Sequence, residues 1–101
     1  MLIAIKRYEL SAVAEEDLGN IYDYTLSEFG ENQAVKYLNG LEQTFLTLID
    51  QPELGRKRDE IRVDLRSLAY EKHVIFYGIM RESILIVRVL HGSRDIPKFL
   101  E

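Results

Sequence analysis

The chain has 101 residues, of which 47% are hydrophobic and 30% are charged, proportions typical of a single soluble domain with one core. Its apolar runs are far shorter than the roughly 20 residues that cross a membrane. Its first residues do not follow the charge order of a secretory signal, so we expect a cytoplasmic protein. The absence of cysteine excludes disulfides, a thiol nucleophile and thiolate metal sites. The net charge of −4 argues against a protein that coats nucleic acid.

The net charge conceals an asymmetry between the two halves of the chain. Residues 1–50 contain three basic and nine acidic residues, a net charge of −6, whereas residues 51–101 contain ten basic and eight acidic residues, a net charge of +2. Such a domain can present an acidic helical surface to one partner and a basic sheet surface to another, although ordinary solvated surface explains the same pattern.

A strand and a pair of helices are predicted in the first half of the chain. Residues 2–10 alternate in the manner of a strand, and Ser11 then offers a hydroxyl that can cap the first helix. Apolar residues recur at helical spacing as far as Gly30, where a left-handed cap is expected. A second, more strongly periodic helix begins almost at once and ends before Pro52. The short connection predicts an antiparallel helical hairpin.

Three strands are predicted in the second half. Residues 51–60 are charged and are expected to form a loop, and residues 61–69, 72–80 and 83–91 each have the character of a strand. The turns between these strands are so short that neighbouring strands must be antiparallel. Residues 96–100 are expected to form a short helix or a tail.

These elements predict an α+β fold with one helical layer on one sheet. The sheet is expected to contain the N-terminal strand and a three-stranded antiparallel meander, and residues 1–101 are expected to form one domain. Strict alternation would place Ile61, Val63 and Leu65 on the inward face of their strand, and Val87 and Val89 together on one face of the last strand.

Three arginines are candidates for a site that binds an anion. Arg62, Arg66 and Arg88 alternate with apolar residues on neighbouring predicted strands, so their guanidinium groups could gather on one sheet surface. Guanidinium groups bind phosphate or carboxylate through paired hydrogen bonds. The alternative is an ordinary solvated face in which Asp64 pairs with its neighbours.

The polar residues that follow the last strand are the second candidate. His91 could transfer a proton and Arg94 could stabilise charge during phosphodiester cleavage, which would make a metal-free ribonuclease. The alternative places His91 at the edge of the core, with its ring bonded to the backbone. His73 has the character of a turn residue.

The remaining polar and aromatic residues give weaker signals. Glu15, Glu16 and Asp17 are consecutive and are interpreted as the solvated start of a helix. Two histidines separated by 18 residues do not have the usual spacing of metal ligands, so no metal or cofactor is expected. Three residues of the first helix, Leu18, Tyr22 and Tyr24, are candidates for a surface that binds a partner protein, although the two tyrosines could equally form a wide core face. The basic residues and the histidine named above are candidates for the same role: Arg62, Arg66, Arg88, His91 and Arg94.

Four segments, taken in this order and spacing, resemble ParE-type toxins of the ParE and RelE toxin–antitoxin superfamily. They extend over about residues 8–96 and comprise residues 10–18, 29–34, 51–56, and 73–77 together with 88–95. The resemblance implies a toxin that a cognate antitoxin, ParD-like or other, neutralises by wrapping over the hairpin and sheet in a hetero-oligomeric complex. No membrane and no sequence-specific nucleic acid are implied as partners.

The resemblance also implies a target. ParE-type toxins poison DNA gyrase, whereas RelE-type toxins cut messenger RNA in the ribosome with basic residues and usually a tyrosine or histidine near the terminus. This chain has no tyrosine after Tyr77, which favours the ParE branch and action by binding. In the alternative, a ribosome-dependent endoribonuclease, the candidate arginines hold phosphate and His91 transfers the proton. A third alternative is a module that has lost its toxicity.

Overall fold

The computed structural model describes residues 4–94 and residue 100, and it contains two helices and a five-stranded sheet. The elements in chain order are β1 (Arg7–Leu10), α1 (Ala12–Phe29), α2 (Glu31–Asp50), β2 (Arg56–Lys57), β3 (Arg66–Tyr70), β4 (His73–Ile79) and β5 (Ser83–His91). The strand order is β1-β5-β4-β3-β2, with β1 parallel to β5 and all other neighbours antiparallel. The predicted α+β class and helical hairpin are confirmed, and the sheet is mixed because the N-terminal strand pairs with the last one.

The helical hairpin begins and turns at the residues that the sequence indicates. The Ser11 hydroxyl accepts from the Ala14 amide at 2.9 Å and donates to the Val87 carbonyl at 2.8 Å, so the helix cap is also tied to β5. Gly30 connects the helices with a φ of 89°, a backbone conformation that favours glycine. Within the described part of the chain, neither helix is long and apolar enough to cross a membrane.

The main core lies between the hairpin and one face of the sheet. Ile21, Leu41 and Phe45 pack from the helices against Ile75 and Ile84 of the central strands, and all five side chains are buried. A smaller apolar cluster covers the opposite face of the sheet and contains Leu65, Phe76, Leu90 and Leu100. Both faces of the central strands are therefore buried, as their apolar sequences indicate.

The prediction of a strand over residues 61–69 is wrong in its first half. Residues 61–65 form turns in which the Leu65 amide donates to the Arg62 carbonyl at 3.1 Å, and β3 begins only at Arg66. Asp64 has a φ of 65° and its amide donates to the Asp59 carboxylate at 2.9 Å, so a local side-chain bond replaces strand pairing. Val63, predicted to point inward, is 75% exposed.

The other predicted boundaries differ less. The first strand extends over Arg7–Leu10 rather than residues 2–10, and the predicted loop at residues 51–60 contains the two-residue strand β2. The last two predicted strands correspond to β4 and β5. Residues 1–3 of the predicted first strand, and residues 96–99 of the predicted terminal helix or tail, lie outside the described residues.

A β-bulge in β5 overturns the predicted alternation of that strand. Tyr77 pairs with Ile86 but the preceding Phe76 pairs with Arg88, which leaves Val87 as an additional residue. As a result Ile86 and Val89 both belong to the core under the helices, whereas Val87 packs on the opposite side with Phe76. The bulge thereby determines which side chains of the strand end face the hairpin.

Candidate functional site

A paired carboxylate and guanidinium join α1 to β5 immediately after the bulge. Arg88 donates from Nε to Asp17 Oδ2 at 2.8 Å and from Nη2 to Asp17 Oδ1 at 2.9 Å, a bidentate arrangement. The Val89 amide also donates to Asp17 Oδ2, at 3.0 Å. The Asp17 side chain is only 10% exposed, and its hydrogen bonds raise the pKa of Arg88 above its ordinary value.

The interpretation of Asp17 as part of a solvated helix start is therefore wrong, whereas its neighbours Glu15 and Glu16 are exposed as expected. The sequence did carry a signal for this position. Asp17 lies three residues after Ala14 and four before Ile21, on the stripe of α1 that is buried. A carboxylate on a buried stripe requires a paired charge, because burial of an isolated ion is costly.

The three candidate arginines do not gather on one sheet surface. Arg62 lies in the turns before β3 and donates to the Leu100 carbonyl at 2.6 Å. Arg66 donates to the Gly55 carbonyl at 2.8 Å in the loop after α2, while Arg88 is held by Asp17. The expectation failed because residues 61–65 are not a strand and because Asp17 of α1 holds the Arg88 guanidinium. Each guanidinium has a separate structural role.

Four aromatic rings pack where the ends of β4 and β5 meet α2, and we call them the tyrosine–histidine cluster: Tyr37, Tyr70, His73 and His91. The Tyr37 ring centroid is 5.4 Å from that of Tyr70 and 5.5 Å from that of His73, and the His73 and His91 centroids are 5.4 Å apart. All three pairs have T-shaped geometry, which is favourable for aromatic rings.

Hydrogen bonds fix both imidazoles of the cluster. The Tyr37 hydroxyl lies 2.7 Å from His73 Nδ1, and the Ser93 hydroxyl lies 2.7 Å from His91 Nδ1. Burial lowers the pKa of His73 below its ordinary value, and the facing His91 lowers it further. His73 is thus a partly buried member of a ring cluster rather than a turn residue, and His91 is exposed rather than a core-edge imidazole.

The Tyr37 hydroxyl should contribute measurably to stability. We expect Tyr37→Phe to lower the free energy of unfolding by about 1 kcal/mol, because it removes the bond to a partly buried imidazole. Tyr24→Phe is the matched control, since Tyr24 is 64% exposed and its change should stay within about 0.5 kcal/mol. Urea unfolding of both variants measures the difference, and equal stabilities would show that the Tyr37 bond contributes nothing.

The remaining candidate residues lie at other places on the surface. Leu18 packs partly buried against the core, Tyr22 is half-buried, and Tyr24 is exposed. Phe29, near the tip of the hairpin, is 64% exposed like Tyr24. Arg94 is exposed and its amide donates to the His91 carbonyl at 3.0 Å.

Among residues 4–94 and 100, no group of three or more histidine and carboxylate side chains is arranged to hold a metal ion.

The comparison with protein families identifies the chain's relatives. The family described as "ParE toxin of type II toxin-antitoxin system, parDE" matches residues 8–96. The chain belongs to the ParE toxin family. This membership confirms the resemblance inferred from the four sequence segments, and it makes the protein a ParE toxin of a type II toxin–antitoxin system.

Curated ParE toxins match over nearly the whole chain. Toxin ParE1 of Mycobacterium tuberculosis is 37% identical over 95 residues, which cover 93% of this chain and 97% of that protein. Toxin ParE1 of Caulobacter vibrioides is 34% identical over 91 residues, which cover 90% of this chain and 94% of that protein. The similarity between this ParE chain and these relatives is therefore not confined to one segment.

The fold of this ParE toxin also has a solved counterpart. A structure of the "Chromosomal ParDE TA system from P. aeruginosa" superposes with a TM-score of 0.75 at 20% sequence identity, covering 87% of this chain and 96% of that chain. At this identity the likeness concerns the fold alone.

Proposed function

We propose that this ParE toxin poisons DNA gyrase, trapping the enzyme with cleaved DNA and blocking replication in the cytoplasm. The observation that carries the proposal is the family match over residues 8–96, supported by relatives named ParE at 37% and 34% identity. The toxin acts by binding, and it requires no metal or cofactor for this activity.

The arrangement of the arginines supports action by binding. A ribosome-dependent nuclease would use Arg62, Arg66 and Arg88 to hold phosphate. Each of these guanidinium groups already donates to a different protein group, on Leu100, Gly55 and Asp17 respectively. Binding phosphate would require these bonds to break, so the geometry does not favour nuclease chemistry.

The second part of the proposal is neutralisation by direct binding of a cognate, ParD-like antitoxin in a hetero-oligomeric complex. The solved counterpart is a ParDE system, and the family belongs to type II systems. Exposed apolar side chains, including Tyr24 and Phe29, provide surface that a partner protein can cover.

Expression of the chain in bacteria without its antitoxin tests this function. We expect growth arrest in which DNA synthesis falls before protein synthesis, and co-expression of the antitoxin should restore growth. The two rates are measured by incorporation of labelled thymidine and labelled methionine. A fall in protein synthesis first would favour the nuclease, and normal growth with folded protein present would indicate that toxicity has been lost.

A further inference from the structure

We propose that His73 and His91 form a two-imidazole chelate for one divalent ion of a late first-row transition metal, namely Ni²⁺, Cu²⁺ or Zn²⁺. Imidazole nitrogen is a preferred ligand of these three metals. The linear spacing of 18 residues conceals it, because the pairing of β4 with β5 places the two histidines directly opposite each other.

The strand register places His73 and His91 close together. The Gly92 amide donates to the Lys72 carbonyl at 2.9 Å, which flanks the pair and identifies His73 and His91 as a non-hydrogen-bonded pair of the antiparallel ladder. The side chains of such pairs approach each other more closely than those of hydrogen-bonded pairs, so both rings extend from the same edge of the sheet towards the same volume.

The ring separation suits a shared ion. With each nitrogen about 2.0–2.1 Å from the metal, two coordinated imidazoles at a tetrahedral or square angle have centroids roughly 4.5–5.5 Å apart. The observed centroid distance is 5.4 Å, with the ring planes at 82°. The centroid distance therefore allows the two imidazoles to reach one ion by rotation of the rings, without movement of the strands.

Nδ1 of each imidazole is hydrogen-bonded, so Nε2 is the ring nitrogen that can bind the metal. The Tyr37 hydroxyl lies 2.7 Å from His73 Nδ1, and the Ser93 hydroxyl lies 2.7 Å from His91 Nδ1. When a metal replaces the proton at Nε2, Nδ1–H can donate to these oxygens, the outer-sphere arrangement typical of histidine ligands. The Ser93 amide also donates to His91 Nδ1 at 3.1 Å, and metal binding exchanges this bond for the one to the hydroxyl.

The two histidines are placed so that an ion can reach them from solvent. His73 is partly buried and its ring contacts Tyr37, so its position is defined before an ion binds. His91 is exposed, so an ion can enter from solvent and water can fill the remaining coordination positions. Asp17 is not available as a third ligand because both of its carboxylate oxygens accept bonds from Arg88.

The composition of the chain makes the test direct, because these are its only two histidines and it has no cysteine. We expect the untagged 101-residue chain to bind one Ni²⁺ per chain in isothermal titration calorimetry, and NiCl₂ but not MgCl₂ to raise its unfolding temperature. His91→Ala should weaken binding on the order of 10²-fold, because the second ligand of a chelate acts at high effective concentration. His73→Ala should have a similar effect.

Glu82→Ala is the control, since this carboxylate lies beyond the other end of β5 and pairs with Lys6. Its affinity for Ni²⁺ should equal that of the unaltered chain. Unfolding in EDTA establishes that His91→Ala, at an exposed position, remains folded. The proposal is overturned by absence of Ni²⁺ binding, by two ions per chain with one lost in each variant, or by unchanged affinity in His91→Ala.

Discussion

Asp17→Ala is expected to lower the free energy of unfolding by about 3 kcal/mol, because it breaks a largely buried ion pair. The variant leaves the Arg88 guanidinium without its bidentate partner in a position where only 19% of the side chain is exposed. It also removes the acceptor of the Val89 amide next to the bulge. Urea denaturation followed by circular dichroism measures the loss.

Asp23→Ala is the matched control, because Asp23 is an exposed carboxylate on the same helix. It should change stability by no more than about 0.5 kcal/mol. The double variant Asp17→Ala/Arg88→Ala should lose less than the sum of the single variants, since both single variants break the same bidentate pair. If Asp17→Ala is as mild as Asp23→Ala, the pair is a solvent-screened contact and does not fix α1 on the sheet.

Gly55→Ala is expected to lower the free energy of unfolding by about 2 kcal/mol through overpacking. A methyl group at this buried position would lie 2.7 Å from the Ser67 carbonyl oxygen and 2.7 Å from the Tyr77 hydroxyl. The same hydroxyl accepts from the Gly55 amide at 2.8 Å and donates to the Pro52 carbonyl at 2.7 Å. Glycine therefore allows the loop after α2 to approach the central strand.

Gly19→Ala supplies the contrasting result, since no atom lies within 4 Å of its added methyl group and the residue is in the middle of α1. We expect it to raise stability by about 0.5–1 kcal/mol through helix propensity. Thermal unfolding of both variants in one buffer gives the comparison. Stabilisation by Gly55→Ala would contradict the close approach of the loop to Tyr77.

Loss of activity after replacement of a candidate arginine does not by itself show a functional role, because the arginine can also stabilise the fold. If Arg62, Arg66 and Arg88 formed an anion-binding site on the surface, their replacement would remove an anion-dependent activity and leave the fold intact. The structure places Arg88 in a buried pair, so Arg88→Ala should destabilise the chain. A toxicity assay of that variant requires a parallel measurement of its stability.

The helices and the last two strands were predictable because their signals are local. The apolar stripe of α2 recurs at helical spacing, and Ser11 and Pro52 mark ends that depend on backbone chemistry alone. Residues 61–65 alternate like a strand, but the bond from the Asp64 amide to Asp59 favours turns. Alternation of apolar and polar residues cannot distinguish a strand from these turns, since the Asp64–Asp59 bond depends on the geometry of the loop.

The site was less predictable because it depends on contacts between distant parts of the chain. The Ser11 hydroxyl, 76 residues earlier in the chain, stabilises the bulge at Val87 by donating to the Val87 carbonyl. The sequence of β5 alone does not predict this bulge. That one additional residue shifts the alternation of β5, so that Val89 joins the core under the helices and Leu90 joins the opposite cluster. Asp17 alone had a readable signal, its position on a buried helical stripe.

The claim that this ParE toxin acts on gyrase is tested most directly with the purified chain and purified DNA gyrase. Relaxed plasmid is incubated with gyrase, ATP and the toxin, and the products are treated with detergent and protease before electrophoresis, while a ribosome-dependent mRNA cleavage reaction runs in parallel. If the toxin poisons gyrase, linear plasmid accumulates while the message stays intact, and addition of the antitoxin abolishes this accumulation. Normal supercoiling together with cut message would contradict it and would make the chain a nuclease.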